Sequence, residues 1–296
     1  MGRSVAPAHV RLCAALALVT CAGAACFVTI PAVVEADGAV PADAAEDRPV
    51  DAPGAETSCA DLPLLDPPDA RCPVSPDDGP MVPVRWPDGG VFCIDATEIR
   101  SDDYLRVYLT PMFTSTFDGG ACAAQSDPRP PPAPYDKPTL QPAVINWCEA
   151  DAFCRYVGRR LCGGGGDKLD PAASEWFRAC TPDGGAFPFG PDAAAGGCTY
   201  TPPLTNVGSW PCCVGSVRGL FDMSGNVAEW TSECGSRVLD GGCSAHALRG
   251  GSARRKGAAP DPARASCGWI EPSAQNTQRS NGGDLLAGAR CCADPR

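Results

Sequence analysis

The segment 222–230 carries the side chains best suited to hold a metal ion. Asp222 and Glu229 each provide a carboxylate, and Gly225 between them favours a turn. Ca²⁺ takes about six to eight oxygen ligands in irregular geometry, so two carboxylates and the intervening backbone carbonyls form a suitable set. The alternative is a turn in which Asp222 and Glu229 only cap backbone amides.

Histidine chemistry is narrowly limited in this chain. The sequence contains two histidines, His9 near the N-terminus and His246. A site built on two or three histidines is therefore excluded for the mature protein, and no catalytic motif surrounds His246. Because His246 lies in a stretch rich in glycine, serine and alanine, we expect it on a surface loop.

A basic stretch lies at residues 249–256. Its charged members are Arg249, Arg254, Arg255 and Lys256. A solvated loop is the simpler interpretation, and a groove for an acidic ligand is the alternative.

The cysteines indicate a disulfide framework. The chain has 19 cysteines, and all but Cys13, Cys21 and Cys26 lie between Cys59 and Cys292. No Cys-x-x-Cys pair occurs, although zinc sites commonly show one. An even and dense set in an exported chain is typical of disulfides. Cys59 and Cys72 are expected to bridge a small loop.

Short elements must position these groups. Two β-type runs, 81–84 and 91–94, flank an Asp-Gly-Gly turn and predict a hairpin. Helical spacing predicts helices over 101–109, with Ser101 as the N-cap, and over 148–157 and 173–180. The rest reads as loop with short strands. So loop-rich a domain needs cross-links, each of which typically contributes ~2–4 kcal/mol.

Residues 1–25 have the pattern of an export segment. A basic start is followed by an uncharged run over 12–34, with the small residues Ala22-Gly23-Ala24 as a cleavage signal. We expect a cleaved signal peptide. A membrane anchor and lipidation at Cys21, which makes the chain a lipoprotein candidate, are the alternatives. All three place the remainder outside the cytoplasm, as a secreted, periplasmic or cell-surface protein.

Residues 26–78 predict a disordered stalk rich in Pro, Ala, Asp and Glu. Such a composition buries too little apolar surface to fold. Most of the formal net charge of −11 belongs to this segment, in which twelve acids between 35 and 78 face Arg48 and Arg71. We therefore expect one folded domain over 79–296, with no nucleic-acid partner, and a membrane contact only through the N-terminal segment.

An ordered series of sequence blocks resembles the formylglycine-generating enzymes, the sulfatase-modifying factors. The blocks are 92–99 (FCIDATEI), 144–154 (VINWCEADAFC), 158–161 (GRRL), 173–176 (ASEW), 219–230 (GLFDMSGNVAEW), 248–252 (LRGGS) and 289–291 (ARC). The resemblance implies an irregular α/β (α+β) domain with little regular secondary structure, related to C-type lectins.

The resemblance also implies a calcium site. Its side-chain ligands correspond to Asp222 and Glu229, and its backbone carbonyls to Gly225 and Val227.

Two disulfides are implied by the same resemblance, Cys154–Cys291 and Cys180–Cys267. A third, Cys234–Cys243, is suggested by proximity in the sequence alone.

The catalytic positions of the family are altered. Its enzymes bind copper through two cysteines, and the matching positions here hold Arg255 and Pro260. A two-thiolate copper(I) site cannot form there, so no copper is expected.

Two functions follow. The first is a non-catalytic extracytoplasmic module that binds a protein or glycan ligand or serves at the envelope surface. The second is an oxidase that matures sulfatases by converting a cysteine to formylglycine, which the fold resemblance alone does not establish.

Overall fold

A computed structural model describes residues 20–21, 26–27, 62, 64–108, 110–114, 122, 137–164, 169–181, 183–191, 198, 203–237, 243–252, 262–271 and 286–296. The chain divides into two units, Met1–Gly54 and Ala55–Arg296. In the first unit, β1 (Thr20–Cys21) pairs antiparallel with β2 (Cys26–Phe27). In the part of the chain that is described, no helix has the length and apolar character to cross a membrane. The predicted cleavage signal lies outside the described residues.

The second unit opens with the hairpin that the sequence predicts. β3 (Met81–Arg85) pairs antiparallel with β4 (Val91–Asp95). The turn requires Gly89 at φ 95°, a left-handed conformation that suits glycine. The amide of Gly90 donates to Asp88 Oδ1 at 2.9 Å and completes the turn.

The C-terminal strand completes the first sheet. β9 (Cys291–Ala293) pairs antiparallel with β4 on one edge and with β5 (Arg160–Leu161) on the other. The strand order is β3-β4-β9-β5. This order brings the end of the chain against the end of β4.

A second sheet carries most of the polar groups of interest. Its central strand β6 (Ala228–Arg237) pairs antiparallel with β7 (Cys243–Arg249) and parallel with β8 (Ala287–Ala289). Glu229 on β6 therefore lies opposite Arg249 on one side and Gly288 on the other.

The helices of the described part are short. They are α1 (Ser101–Val107), α2 (Pro111–Thr114), α3 (Trp147–Tyr156) and α4 (Glu175–Cys180), with 3-10 turns at Pro171–Ala173 and Pro262–Ala265. Short helices, short strands and long connections make this a mixed α/β fold of low helix content, as the sequence predicts.

Local sequence explains where α3 begins and ends. The Asn146 side chain accepts from the Glu149 amide, and the Glu149 carboxylate accepts from the Asn146 amide, which forms a capping box. Gly158 follows the helix at φ 76° and ends it.

The other helices differ from their predictions in detail. The N-cap of α1 is Arg100 and not Ser101, whose hydroxyl donates instead to Lys137 O at 2.8 Å. The third helix is shorter than predicted because Ser174 caps it from within the predicted span.

Two of the apolar clusters among the described residues join helices to the sheets. One joins α1 and α3 to the second sheet through Tyr104, Phe153 and Trp230. The other contains Phe92 and Trp176 and packs against the first sheet. All five side chains are about 1% exposed or less, so each cluster ties a helix to a sheet that also carries polar groups.

Disulfides tie these layers together. The bridges of the described part include Cys72–Cys93, Cys122–Cys148, Cys154–Cys291, Cys162–Cys292, Cys180–Cys267, Cys198–Cys213 and Cys234–Cys243. The pairs 154–291, 180–267 and 234–243 coincide with those given in the sequence analysis. Such a density of bridges is typical of an oxidising compartment, so this is an extracytoplasmic protein.

The structure differs from the sequence prediction at the end of the stalk. Cys72 is bonded to Cys93 on β4 rather than to Cys59. Further upstream, Leu65 forms a parallel bridge with Val217. Residues 64–78 therefore lie on the domain, because backbone pairing and a disulfide offset the entropy of ordering a polar segment.

Candidate functional site

The predicted metal segment forms a tight buried turn before β6. Asp222 and Asn226 adopt φ 57° and 51°, which is uncommon for residues other than glycine. The amide of Gly225 donates to Gly250 O at 2.8 Å and fastens the turn to the end of β7. A Cβ on Gly250 would approach the Trp176 ring to 3.1 Å, so this position needs glycine.

Glu229 is held by a buried arginine. Arg290 Nε donates to Glu229 Oε2 at 2.7 Å and Arg290 Nη2 to Glu229 Oε1 at 2.6 Å. Trp176 Nε1 also donates to Oε2 at 2.7 Å. Although burial alone lowers the pKa of Arg290, the Glu229 carboxylate raises it above its ordinary value. The pair is thus a charge-assisted, two-bond contact.

Asp222 is the second buried acid. Its Oδ2 accepts a hydrogen bond from the Gly208 amide at 2.5 Å, and the residue is 2% exposed. Burial raises the pKa of Asp222 to about 6, although the Gly208 amide and Arg290 act in the opposite direction.

Glu98 is a third buried acid, which the sequence analysis missed. It is 1% exposed, and its Oε1 accepts from Asn226 Nδ2 at 3.0 Å. Its Oε2 is buried and has no hydrogen-bond partner among the described residues. Burial raises the pKa of Glu98 well above its ordinary value, and the negative charge of Asp222 raises it further. Glu98 lies in the block 92–99, but its partner Asn226 is 128 residues away and gives no local signal.

The predicted calcium ligands therefore have different environments. Asp222 keeps acceptor capacity, whereas Glu229 already accepts three hydrogen bonds of the roughly four that a carboxylate can accept. Glu98, which lies between β4 and α1 and contacts the turn through Asn226, has one oxygen without a hydrogen-bond partner among the described residues. Carboxylate oxygens are suitable ligands for a hard cation, but the carboxylate with an unoccupied oxygen is that of Glu98 rather than that of Glu229.

The altered catalytic positions Arg255 and Pro260 lie outside the described residues. The strand that precedes them, β7, ends at Arg249, and Gly251 beyond it adopts φ 69° against the backbone of Ala265. From residue 62 onward, each cysteine that the structure describes is in a disulfide.

Arg249, at the start of the predicted basic stretch, is not available to a ligand. It is fully buried, and its Nε and Nη2 donate to Glu233 at 2.5 and 3.0 Å. Its Nη1 donates to Cys267 O at 3.2 Å. For Arg249, the solvated-loop interpretation and the acidic-ligand groove are both wrong, because this residue ends a strand whose residues 245–249 are all buried.

His246 is also buried, contrary to the surface-loop expectation. It lies on β7, is 7% exposed and stacks on Trp147 with ring centroids 3.8 Å apart. Burial lowers the pKa of His246 to about 4. The small residues around it are strand residues, and their size favoured the loop interpretation.

A further buried cluster links the stalk end to the domain. Arg159 Nη1 donates to Asp78 Oδ2 at 2.5 Å and also to Asp95 Oδ1. Among the described residues, a carboxylate oxygen of Asp78, one of Asp95 and the sulfur of Cys291 lie within 4.8 Å of one another, a spacing that could suit a metal ion. However, Cys291 is bonded to Cys154, so its sulfur is not a thiolate. Burial raises the pKa of Asp78 to about 6.

The chain matches the model of the sulfatase-modifying factor enzyme 1-like domain over residues 77–295. It therefore belongs to that family, in agreement with the blocks seen in the sequence. No curated protein matches the chain.

Solved structures with some similarity include variable protein 1 of Treponema denticola. It shares 17% identity at a TM-score of 0.39, over 74% of this chain and 93% of that one. A crystal structure of CarF also shares 17% identity, at a TM-score of 0.41, over 78% of this chain and 96% of that one. The family assignment depends on the family match and not on these two structures.

Proposed function

We propose that this protein is a non-catalytic member of its family, an extracytoplasmic module that binds a protein or glycan or serves at the envelope surface. The observation that carries the proposal is the residue pair at the catalytic positions. Arg255 and Pro260 stand where the family's enzymes have their copper-binding cysteines. Neither side chain can act as a thiolate ligand.

The cysteines of the described domain support the same conclusion. Each of them from residue 62 onward is in a disulfide. A disulfide sulfur is not the thiolate that binds copper(I) or carries an exchange reaction. Chemistry of the family's kind would therefore have to begin by breaking a structural bridge.

The remaining architecture is suited to a binding site. Bridges such as Cys154–Cys291 and Cys180–Cys267 join positions 137 and 87 residues apart. They hold loops on a rigid frame, which is how binding sites are commonly arranged. A predicted signal peptide and an acidic segment precede this domain, which supports a protein that is secreted, periplasmic or anchored at the surface.

The alternative is a formylglycine-generating oxidase, which the family match favours. We expect no conversion of a Cys-x-Pro-x-Arg sulfatase peptide by the purified mature chain with copper(I) supplied. Peptide mass spectrometry would detect the loss of the thiol and formation of the aldehyde. The double variant R255C/P260C is the matched control, since it restores the residue types at both positions. Conversion by the unchanged chain above a no-protein blank would overturn the proposal.

Binding is tested separately. The mature chain would be applied to immobilised bacterial surface glycans and peptidoglycan, with reduced and alkylated protein as the control. We expect saturable binding that depends on intact disulfides. Equal retention of native and reduced protein would count against a binding module with a formed site.

A further inference from the structure

Cys212 has a disulfide partner that the bridges given above do not supply. Sixteen cysteines lie from Cys59 to Cys292, and the seven bridges pair fourteen of them. Cys59 and Cys212 remain, and Cys212 is in a disulfide. Its partner is therefore Cys59 or one of the cysteines near the N-terminus, which are Cys13, Cys21 and Cys26.

The division of the chain favours Cys59 as this partner. Cys59 and Cys212 both belong to the second unit, Ala55–Arg296, whereas the three N-terminal cysteines belong to the first. The partner that the sequence suggested for Cys59 is already used, because Cys72 is bonded to Cys93. Cys59 lies outside the described residues, so the described residues that follow it indicate what it can reach.

Leu65 runs alongside the segment that follows Cys212. Two backbone hydrogen bonds of 2.9 and 3.0 Å join Leu65 to the residues on either side of Val217. This bridge is parallel, so both segments run in the same direction, and the residues before Leu65 approach those before Val217. When both segments are followed back by equal steps, Cys59 comes level with Pro211, the neighbour of Cys212.

Leu62 lies closer to Cys59 along the chain and gives a second position. It packs against the same apolar cluster as Cys198, which is bonded to Cys213, the residue after Cys212. Three residues of extended chain span up to about 11 Å, and the Cα atoms of a disulfide lie about 4.4–6.8 Å apart. Cys213 is 1% exposed, whereas Cys212 is half-buried, which suits a bridge to a segment lying over the surface of the domain.

We propose that Cys59 and Cys212 form a disulfide of the mature chain, which fastens the predicted stalk to the domain at residue 59 instead of at Cys72. The S–S bond forms as each thiol loses a proton and the pair loses two electrons. A thiol–disulfide exchange protein of the export compartment accepts these electrons and protons as its own disulfide becomes a dithiol. Residues 64–78 then stay on the domain when the segment before residue 59 is pulled or cleaved.

The test labels free thiols in the mature chain, denatured without reduction, and locates them by peptide mass spectrometry. Counted from residue 59 onward, C59S should expose one thiol, at Cys212, and C212S should expose one, at Cys59. The double variant C59S/C212S should expose none, and C26S is the matched control that should leave both cysteines unlabelled. The two single variants and the double variant should lower Tm equally, since each removes the same bond.

A map of the unchanged chain gives a second readout if a variant does not fold. Cleavage after Glu56 and Arg71 releases residues 57–71 as a peptide whose one cysteine is Cys59. Before reduction, we expect this peptide to be joined to the one that holds Cys212. The proposal is overturned if Cys59 stays unlabelled in C212S. It is also overturned if the 57–71 peptide is recovered free, linked to Cys26, or linked to its own copy from a second chain.

Discussion

Two buried arginines of the second sheet region differ in how their charge is matched. Arg249 meets one acid, Glu233, and lies near the Trp176 ring at 5.8 Å. Arg290 meets Glu229 in the same two-bond fashion but lies among two further acids. The first pair is balanced and can be purely structural. The second has two further buried acids beside it, Glu98 and Asp222, so its groups are not matched one to one.

The largest expected effect comes from removing each arginine. R249M should destabilise the protein by about 3–5 kcal/mol, because it leaves one buried carboxylate without its partner. R290M should cost more, since it leaves Glu229 unpaired beside two further buried acids, Asp222 and Glu98. Denaturant unfolding of both variants in chelator would compare them. Equal losses would mean that the two regions do not differ in charge balance.

Disulfide removal gives the next largest contrast. Cys291 adjoins Arg290, and its bridge to Cys154 spans 137 residues, whereas Cys234–Cys243 near the far end of β6 and β7 spans 9. In the chain-entropy model, losing the first should cost about 5 kcal/mol and losing the second about 2.6 kcal/mol. Chemical unfolding of the two double Cys→Ser variants measures both. A greater loss from the short bridge would contradict the chain-entropy explanation of how these bridges stabilise the fold.

The Arg159 cluster tests the matching of a buried arginine by acids through the pH dependence of stability, and the expected effect is smaller. Here one arginine faces Asp78 and Asp95, with Asp103 nearby, and burial raises the pKa of both Asp78 and Asp95. A carboxyl whose pKa is about 6 when folded but near 4 when unfolded binds more protons in the native state. Its contribution to stability is therefore full below about pH 4 and is lost as the pH rises through about 6.

D78N removes this titration. The free energy of unfolding of the unchanged chain, relative to D78N, should fall between pH 4 and pH 7 in urea titrations. D294N is the control, because Asp294 is an exposed acid and its removal should leave the slope unaltered. A difference that rises with pH would mean that Arg159 outweighs burial.

Much of this fold could be predicted from local sequence. The Asp88-Gly89-Gly90 turn and the flanking apolar runs predicted the β3–β4 hairpin, because both signals lie within a few residues. Asn146 and Glu149 form a capping box for α3 that a local pattern also reveals.

The features that the sequence did not predict depend on residues that are far apart in the chain. Cys72 pairs with Cys93 and Cys162 with Cys292 only once β4, β5 and β9 are side by side. Similarly, Glu98 becomes notable only when the fold brings it to Asn226. His246 was misassigned because small neighbours resemble a loop, although β7 needs small residues where it packs.

We propose that this family member lacks a copper-binding thiol pair, because Arg255 and Pro260 stand at the matching positions. The most direct measurement is alkylation of the denatured, non-reduced mature chain, followed by peptide mass spectrometry. We expect no alkylated cysteine in peptides from residue 62 onward, and no tight copper(I) binding by the native chain before alkylation. Two alkylated cysteines in these peptides, together with stoichiometric copper(I) binding by the native chain, would contradict this expectation.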